Sequence, residues 1–250
     1  MRGAGGLNSL VHVALNGART RSEHPQIPRT PEQLARSARG AVDAGAATVH
    51  IHVYDEDDRP TLARHPCAAT LQAVRNACPE VPISLTTVEG IASDPAARFE
   101  LVAAWRQLPE TVTANMGEAG IFELCELLIS RGVGIEAGLL SVADAETFVR
   151  SGIAERCTRV LIEPLDERPD DALAHAAAME AIVTAAGIEL QQVHHGDGIA
   201  SWAVSSRAAR RGHGIRTGLE DTTVLPDGTT ARDNADLVSA AMEMIRGSAA

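Results

Sequence analysis

The sequence predicts an α/β fold, a single (β/α)8 TIM barrel, on three observations. The chain has 250 residues, the usual size of one such barrel. Short apolar runs alternate with longer amphipathic stretches along its whole length, eight times in all. Several of the runs are almost continuously hydrophobic, as expected for parallel strands buried on both faces. An open, doubly wound sheet would show the same alternation and is the competing topology.

The predicted strands and helices follow one another in strict order. The strands cover residues 10–15, 48–53, 81–87, 111–116, 134–140, 159–163, 189–194 and 215–220. The first helix begins at Thr30, because a threonine N-cap followed by Pro31 and Glu32 is a typical helix start. The other helices cover about 66–78, 95–107, 120–131, 142–151, 170–186, 200–211 and 231–247, and glycines close behind four of them act as stops.

The chain is predicted to be one domain over residues 1–250. No linker or low-complexity segment interrupts it. Residues 1–6 and 247–250 are small and rich in glycine or alanine, and we expect them to be loose ends.

Composition excludes several classes of function. The chain carries 33 acidic and 22 basic residues, a formal net charge of −11, and only six aromatic residues. The chain therefore has too few basic side chains to neutralise phosphates and too few aromatic rings to stack on bases, which argues against a nucleic-acid partner. No run of about 18 apolar residues exists, which argues against a membrane span. The four cysteines form no C-x-x-C pair, and we expect reduced thiols in a cytoplasmic protein.

The second predicted strand ends with two histidines, His50 and His52. Side chains two residues apart on a strand point the same way, so the two imidazoles could share one divalent cation. At the carboxyl end of a barrel strand they would lie where active sites form. The alternative is a hydrogen-bonded structural pair.

The last predicted strand supplies Arg216, Glu220 and Asp221 at the matching end of the barrel. Two histidines and one glutamate leave an open coordination position on zinc, as catalytic sites do. Residues 216, 218 and 220 should share a face, with Gly218 leaving open space between Arg216 and Glu220. Alternatively, Glu220 and Asp221 begin a solvated loop or cap a helix.

Other strand ends carry weaker candidates. His194 and His195 precede two glycines after strand seven, which suits a loop that holds a phosphate or thioester cofactor; the two rings should face opposite sides, with His194 in the barrel wall. Thr86 ends strand three, and Asn115 and Gly117 end strand four. Such residues are also common in turns.

In combination, these segments resemble the β-keto acid cleavage enzyme family. The resemblance rests on Asn16-Gly-Ala, on Pro28-x-Thr30-Pro-Glu, on Asp43-Ala-Gly-Ala leading into His50-Ile-His52, and on Arg216-Thr-Gly-Leu-Glu-Asp221. These segments run in family order across almost the whole chain.

The resemblance implies a (β/α)8 enzyme that exchanges acyl groups between a β-keto acid and acetyl-CoA, giving acetoacetate and a new CoA thioester. It implies a divalent metal, usually zinc, on His50, His52 and Glu220, with Arg216 and Asp221 as the catalytic pair. Thr86 matches a substrate-binding hydroxyl, and we take Asn115 and Gly117 as further substrate-binding candidates. Acetyl-CoA enters as a cosubstrate, and a homotetramer is the implied assembly.

Two positions depart from the family pattern. Tyr54 stands where many members carry an arginine. Arg19 aligns with a carboxylate that binds a substrate ammonium group in the aminohexanoate-cleaving members. A cation there would repel an ammonium, so Arg19 predicts a polar or anionic substrate tail.

Two other functions fit parts of the pattern. A zinc hydrolase of the amidohydrolase type also uses H-x-H in a barrel, but on its first strand and with further His and Asp ligands on later strands. A metal-binding or ligand-binding barrel without catalysis would need only the metal site.

Overall fold

A computed structural model describes residues 10–248 and contains eight parallel strands. They are β1 (Val11–Ala14), β2 (Thr48–Ile51), β3 (Ile83–Thr86), β4 (Thr111–Asn115), β5 (Gly134–Leu139), β6 (Arg159–Ile162), β7 (Gln192–His194) and β8 (Gly214–Thr217). Each strand pairs with the next, and β8 pairs with β1, so the sheet closes on itself. The predicted barrel is confirmed, and the open sheet is excluded.

Eight helices surround the barrel, one after each strand. They are α1 (Pro31–Asp43), α2 (Arg64–Ala77), α3 (Pro95–Ala103), α4 (Ile121–Ser130), α5 (Val142–Ser151), α6 (Pro169–Ala185), α7 (Ser201–Arg210) and α8 (Asn234–Ser248). The predicted ends 1–6 and 249–250 lie outside the described residues. Gly247 and Ser248 continue α8, where the Ser248 hydroxyl donates to the carbonyl of Met244 at 2.8 Å. Within residues 10–248, every helix is too short or too polar to span a bilayer.

The start of α1 follows from local sequence. The Thr30 hydroxyl accepts the N–H of Gln33, and the Gln33 side chain accepts the N–H of Thr30, which makes a reciprocal capping box. Pro31 occupies the first turn, where its missing N–H costs nothing. This cap fixes where the long connection after β1 enters its helix.

The barrel interior contains a layer of buried polar side chains beneath the rim. His12, Ser84, Glu136 and Arg159 are at most 9% exposed. Arg159 Nε lies 3.3 Å from a Glu136 carboxylate oxygen, and the Ser84 hydroxyl donates to the same carboxylate. Paired charges satisfy one another in an interior that would otherwise exclude them.

The last strand is shorter than predicted, because the chain turns at Gly218. Residues 215–220 were expected in the strand, but β8 ends at Thr217 and the N–H groups of Asp221 and Thr222 donate to the Gly218 carbonyl. The expected open space at Gly218 is also wrong. The backbone of β1 fills it, since a Cβ at Gly218 would lie 2.0 Å from the carbonyl oxygen of Ala14.

Gly218→Ala is therefore expected to lower the free energy of unfolding by about 3 kcal/mol or more. The methyl group would overlap the β1 backbone, and the residue has φ +155°. Urea unfolding measures the change. Gly132→Ala is the matched control, because Gly132 also has positive φ but no atom within 4 Å of the added methyl, and it should lose only about 1 kcal/mol. Equal losses in the two variants would contradict the close approach.

Candidate active site and metal centre

A cavity of about 400 Å3 opens at the carboxyl ends of the strands, next to β8. Twelve residues from β8 and from the five connections that follow β1, β2, β6, β7 and β8 line it: Ala18, Arg19, Glu23, His52, Glu163, Leu165, His195, Gly196, Asp197, Arg216, Glu220 and Asp221. This is the rim at which (β/α)8 barrels place their active sites.

His50, His52 and Glu220 come together beside this cavity. Their candidate ligand atoms all lie within 4.8 Å of one another. His50 Nε2 is 3.8 Å from Glu220 Oε2, and His52 Nε2 is 3.4 Å from Glu220 Oε1. His52 follows β2 directly, and both imidazoles approach the same Glu220 carboxylate, which confirms their predicted common direction. The turn at Gly218 carries Glu220 across to them.

Electrostatics keep His50 and Glu220 in the protonation states that a metal ion needs. Burial lowers the pKa of His50 to about 3, with the Arg216 charge acting in the same direction, so the imidazole is neutral. Burial alone would raise the pKa of Glu220, but Arg216, His52 and His50 hold it well below its usual range. Neutral imidazoles and an ionised carboxylate are the ligand forms for a divalent cation.

Two observations show that this donor set fits a dication. Glu220 Oε2 is buried and has no hydrogen-bond partner among the described residues, although it faces His50. The cavity lining also carries five carboxylates, against the two guanidinium groups of Arg19 and Arg216 and the His195 imidazolium. Two further positive charges would balance it. His50 Nδ1 lies 3.3 Å from the hydroxyls of Ser84 and Thr113, which leaves Nε2 free toward Glu220.

Arg216 and Asp221 form a buried ion pair next to the metal-type site. Arg216 Nη2 donates to Asp221 Oδ1 at 2.7 Å and to Glu220 Oε1 at 2.9 Å. Both Arg216 and Asp221 are 3% exposed. The Arg216 guanidinium thus links the carboxylate of Glu220, which belongs to the donor set, to the carboxylate of Asp221.

Glu163 and His195 complete the cavity wall, and neither was predicted from the sequence to be catalytic. His195 lies between two carboxylates, with Nε2 at 3.1 Å from Glu163 and Nδ1 at 3.4 Å from Asp221. These charges outweigh burial and Arg216 and raise the pKa of His195 to about 9. The signal that could have found Glu163 was a charged residue at the carboxyl end of a barrel strand.

Arg19 lies at the mouth of the cavity and is held by several acceptors. Its Nε donates to the Glu220 carbonyl at 2.9 Å, and its Nη2 donates to Asp197 at 2.9 Å. The Arg19 side chain is 24% exposed, whereas Glu23 and Asp197 beside it are 46% and 58% exposed. The cation is therefore the innermost of these three charges.

Thr86, Asn115 and Gly117 lie on the same rim but do not line this cavity. The Thr86 hydroxyl accepts the N–H of Val88 at 3.2 Å, and the Asn115 side chain donates to Glu118 at 2.8 Å. A Cβ at Gly117 would lie 2.4 Å from an Asp144 carboxylate oxygen, so a larger residue there would require the Asp144 side chain to move. Their roles in substrate binding stay predictions.

A second histidine–carboxylate group lies on the outer face of the barrel, between β7 and the helices around it. Glu180, His194 and His213 also bring their polar atoms within 4.8 Å, and the His194 and His213 rings stack at 4.6 Å. Arg207 and Arg211 contact the Glu180 carboxylate at 2.6 and 2.5 Å, so two cations already neutralise it. His194 is confirmed as a wall residue that faces away from His195.

The closed barrel and the polar cavity on its rim define a (β/α)8-barrel protein with an enzyme-type active site. The chain belongs to the β-keto acid cleavage enzyme family, whose model matches residues 9–249. The resemblance drawn from the sequence motifs is confirmed.

Individual relatives agree with this assignment. The 3-keto-5-aminohexanoate cleavage enzyme of Fusobacterium nucleatum is 25% identical over 95% of this chain and 91% of its own. The enzyme of the same name from Acetoanaerobium sticklandii is 22% identical with the same coverage. A 3,5-dioxohexanoate:acetyl-CoA acetone transferase of Paraburkholderia graminis is 32% identical over 47% of this chain and 38% of its own.

The barrel is also similar to a solved structure, a ternary complex of ObcA with a C4-CoA adduct and oxalate. The TM-score is 0.73 at 17% identity, over 89% of this chain. This chain spans 64% of the length of the ObcA chain. At that identity the likeness shows the fold.

Proposed function

We propose that this enzyme condenses a β-keto acid with acetyl-CoA and releases acetoacetate and a new acyl-CoA. One observation carries the proposal: a two-histidine, one-glutamate donor set adjoins the buried Arg216–Asp221 pair at a single cavity. Family membership and the acetyl-CoA named for the Paraburkholderia relative support the same reaction.

His50, His52 and Glu220 would hold the divalent metal, for which zinc is our choice. When bound, the cation would act as a Lewis acid toward the keto and carboxylate oxygens of the substrate and stabilise the charge that develops there. The unpartnered Glu220 Oε2 supports this assignment.

Asp221 would accept the proton from the carbon between the keto and carboxylate groups, while Arg216 fixes the position of its carboxylate. The carbanion attacks the acetyl carbonyl of acetyl-CoA, and the CoA thiolate leaves. The thiolate then attacks the keto carbon of the original acid. The bond between that carbon and the former carbanion carbon breaks, giving the new thioester and the carbanion of acetoacetate, which takes the proton back from Asp221.

Arg19 would favour a polar or anionic tail on the β-keto acid. Its guanidinium is the inner charge at the cavity mouth, and its Nε contacts the Glu220 carbonyl. A substrate tail that extends outward from the metal-type site would reach Arg19 before it reached Glu23 or Asp197, so an ammonium on that tail would be repelled first.

A screen of β-keto acids with the zinc-loaded protein tests this function. We expect acetoacetate and a new thioester, detected by mass, and a kcat/KM for an anionic or neutral tail that exceeds that for 3-keto-5-aminohexanoate by about fivefold or more. Arg19→Gln should reduce this preference. Arg21→Gln is the control, because Arg21 donates to Gln33 and does not line the cavity. Preferred use of the cationic substrate would overturn the tail assignment, and hydrolysis without CoA would support the amidohydrolase alternative.

We further propose a homotetramer in the cytoplasm. Leu165 and Ile199 are 55% and 80% exposed near the cavity, and exposed apolar side chains of this kind suit an interface. The four cysteines are free and buried, in agreement with a reducing compartment. Light scattering coupled to gel filtration measures the assembly directly.

A further inference from the structure

Four side chains at the cavity form a closed ring of alternating charge. Glu163 contacts His195 at 3.1 Å, and His195 contacts Asp221 at 3.4 Å. Asp221 contacts Arg216 at 2.7 Å, and Arg216 approaches Glu163 at 3.9 Å, which closes the ring. The mechanism proposed above uses only Asp221 and Arg216.

The barrel itself fixes the positions of Glu163 and His195. The N–H of Glu163 donates to the Leu139 carbonyl, and the N–H of His195 donates to the Ile162 carbonyl. Both residues therefore continue the hydrogen-bond ladder at the carboxyl ends of β6 and β7. His195 is 1% exposed, so it has little freedom to leave the ring.

The two oxygens of Asp221 are held unequally. Oδ1 receives Arg216 Nη2 at 2.7 Å and faces His195 Nδ1 at 3.4 Å, whereas within residues 10–248 Oδ2 receives only a 3.3 Å contact from Arg216 Nε. Asp221 Oδ1 is thus held between Arg216 and His195, and Asp221 Oδ2 is the oxygen with fewer donors.

We propose that Glu163 and His195 are positioning residues, which fix Asp221 Oδ1 so that Oδ2 is presented for proton transfer. This rests on the proposed function of Asp221 as the base. As an imidazolium, His195 places one ring nitrogen near each of the two carboxylates, and Glu163 holds that ring in place, as a third group orients the base in other catalytic sites.

The groups around His195 account for its charge. Charged or titratable side chains face it from three strands and the residues after them: Glu163 after β6, Arg216 and Asp221 in and after β8, and His12 in β1. Burial lowers the pKa of His12 well below its usual range, so His12 adds no positive charge. The two carboxylates then dominate.

Substitutions at the two positions should separate positioning from binding. His195→Asn should lower kcat by about 10²-fold and Glu163→Gln by about 10-fold, with the KM values for both substrates within about threefold of wild type. Zinc content, measured by mass spectrometry of the metal, should not change, since neither residue belongs to the donor set. If His195→Asn fails to fold, Glu163→Gln still tests the ring, because it keeps an acceptor for His195.

Asp166→Asn is the matched control. Asp166 lies three residues after Glu163 and also pairs with a histidine, at 2.7 Å from His175, but this pair does not line the cavity. Its kcat should equal that of wild type. Wild-type kcat in both His195→Asn and Glu163→Gln would overturn the proposal.

Nitrogen NMR of the histidine rings gives a readout that needs no turnover. We expect a charged His195 ring at pH 7.5 in the wild type, and a titration midpoint at least about one pH unit lower in Glu163→Gln. A neutral His195 imidazole in the wild type would contradict the proposed ring of alternating charge. If the wild type turns over no β-keto acid with acetyl-CoA, the proposed function fails, and this titration alone decides whether the ring exists.

Discussion

Replacing His50 by alanine is expected to remove the metal and to lower kcat/KM by about 10³-fold or more, since a Lewis acid contributes several kcal/mol to such a reaction. His50 supplies one of three donors, and its Nε2 faces the carboxylate of Glu220 at 3.8 Å. Glu220→Gln should behave alike, because it replaces the anionic donor by a neutral amide. Metal analysis after zinc loading and dialysis should find about one ion per chain in the wild type and little in either variant.

His65→Ala is the control for these metal ligands. His65 is an exposed histidine in the first turn of α2, on the element that follows His50 and His52. It should keep full zinc content and activity. Retention of zinc by both His50→Ala and Glu220→Gln would contradict the donor set.

Replacing Asp221 by asparagine is expected to lower kcat by about 10² to 10⁴-fold while zinc remains bound. The amide keeps the shape of the side chain and can still accept from Arg216, but it cannot take up the substrate proton. Steady-state kinetics and metal analysis on the same preparation measure the two effects. A loss of activity without a loss of zinc distinguishes the base from the ligands.

Asp227→Asn is the control for the base. Asp227 is exposed in the loop after β8, and its side chain accepts only from Thr229 among the described residues. We expect wild-type kinetics for it. If Asp221→Asn turned over like the wild type, another group would have to accept the proton.

Most of the fold could be predicted because it depends on local pattern. The eight apolar runs and the caps at Thr30 and the helix-ending glycines are visible in sequence. The end of β8 was not, because it depends on how closely Gly218 approaches Ala14, more than two hundred residues away along the chain. Closure of the sheet is likewise a long-range property, which the alternation alone left open.

The candidate site was predictable where neighbouring residues share a direction. His50 and His52 lie two apart on one strand, and Arg216 to Asp221 form one short motif. The roles of Glu163 and His195 were missed because each acts through a residue on another strand end. The same reason explains why the pairing of Arg19 with Asp197 was not foreseen.

The proposed exchange between a β-keto acid and acetyl-CoA is tested most directly by following the carbon atoms of acetyl-CoA. The zinc-loaded enzyme is given a β-keto acid and acetyl-CoA with ¹³C in both acetyl carbons, and the products are read by mass and carbon NMR. The proposed reaction gives acetoacetate labelled only in its keto and methyl carbons, together with an unlabelled acyl-CoA formed from the substrate tail. Unlabelled acetoacetate, or release of the tail as a free acid without a new thioester, would contradict it.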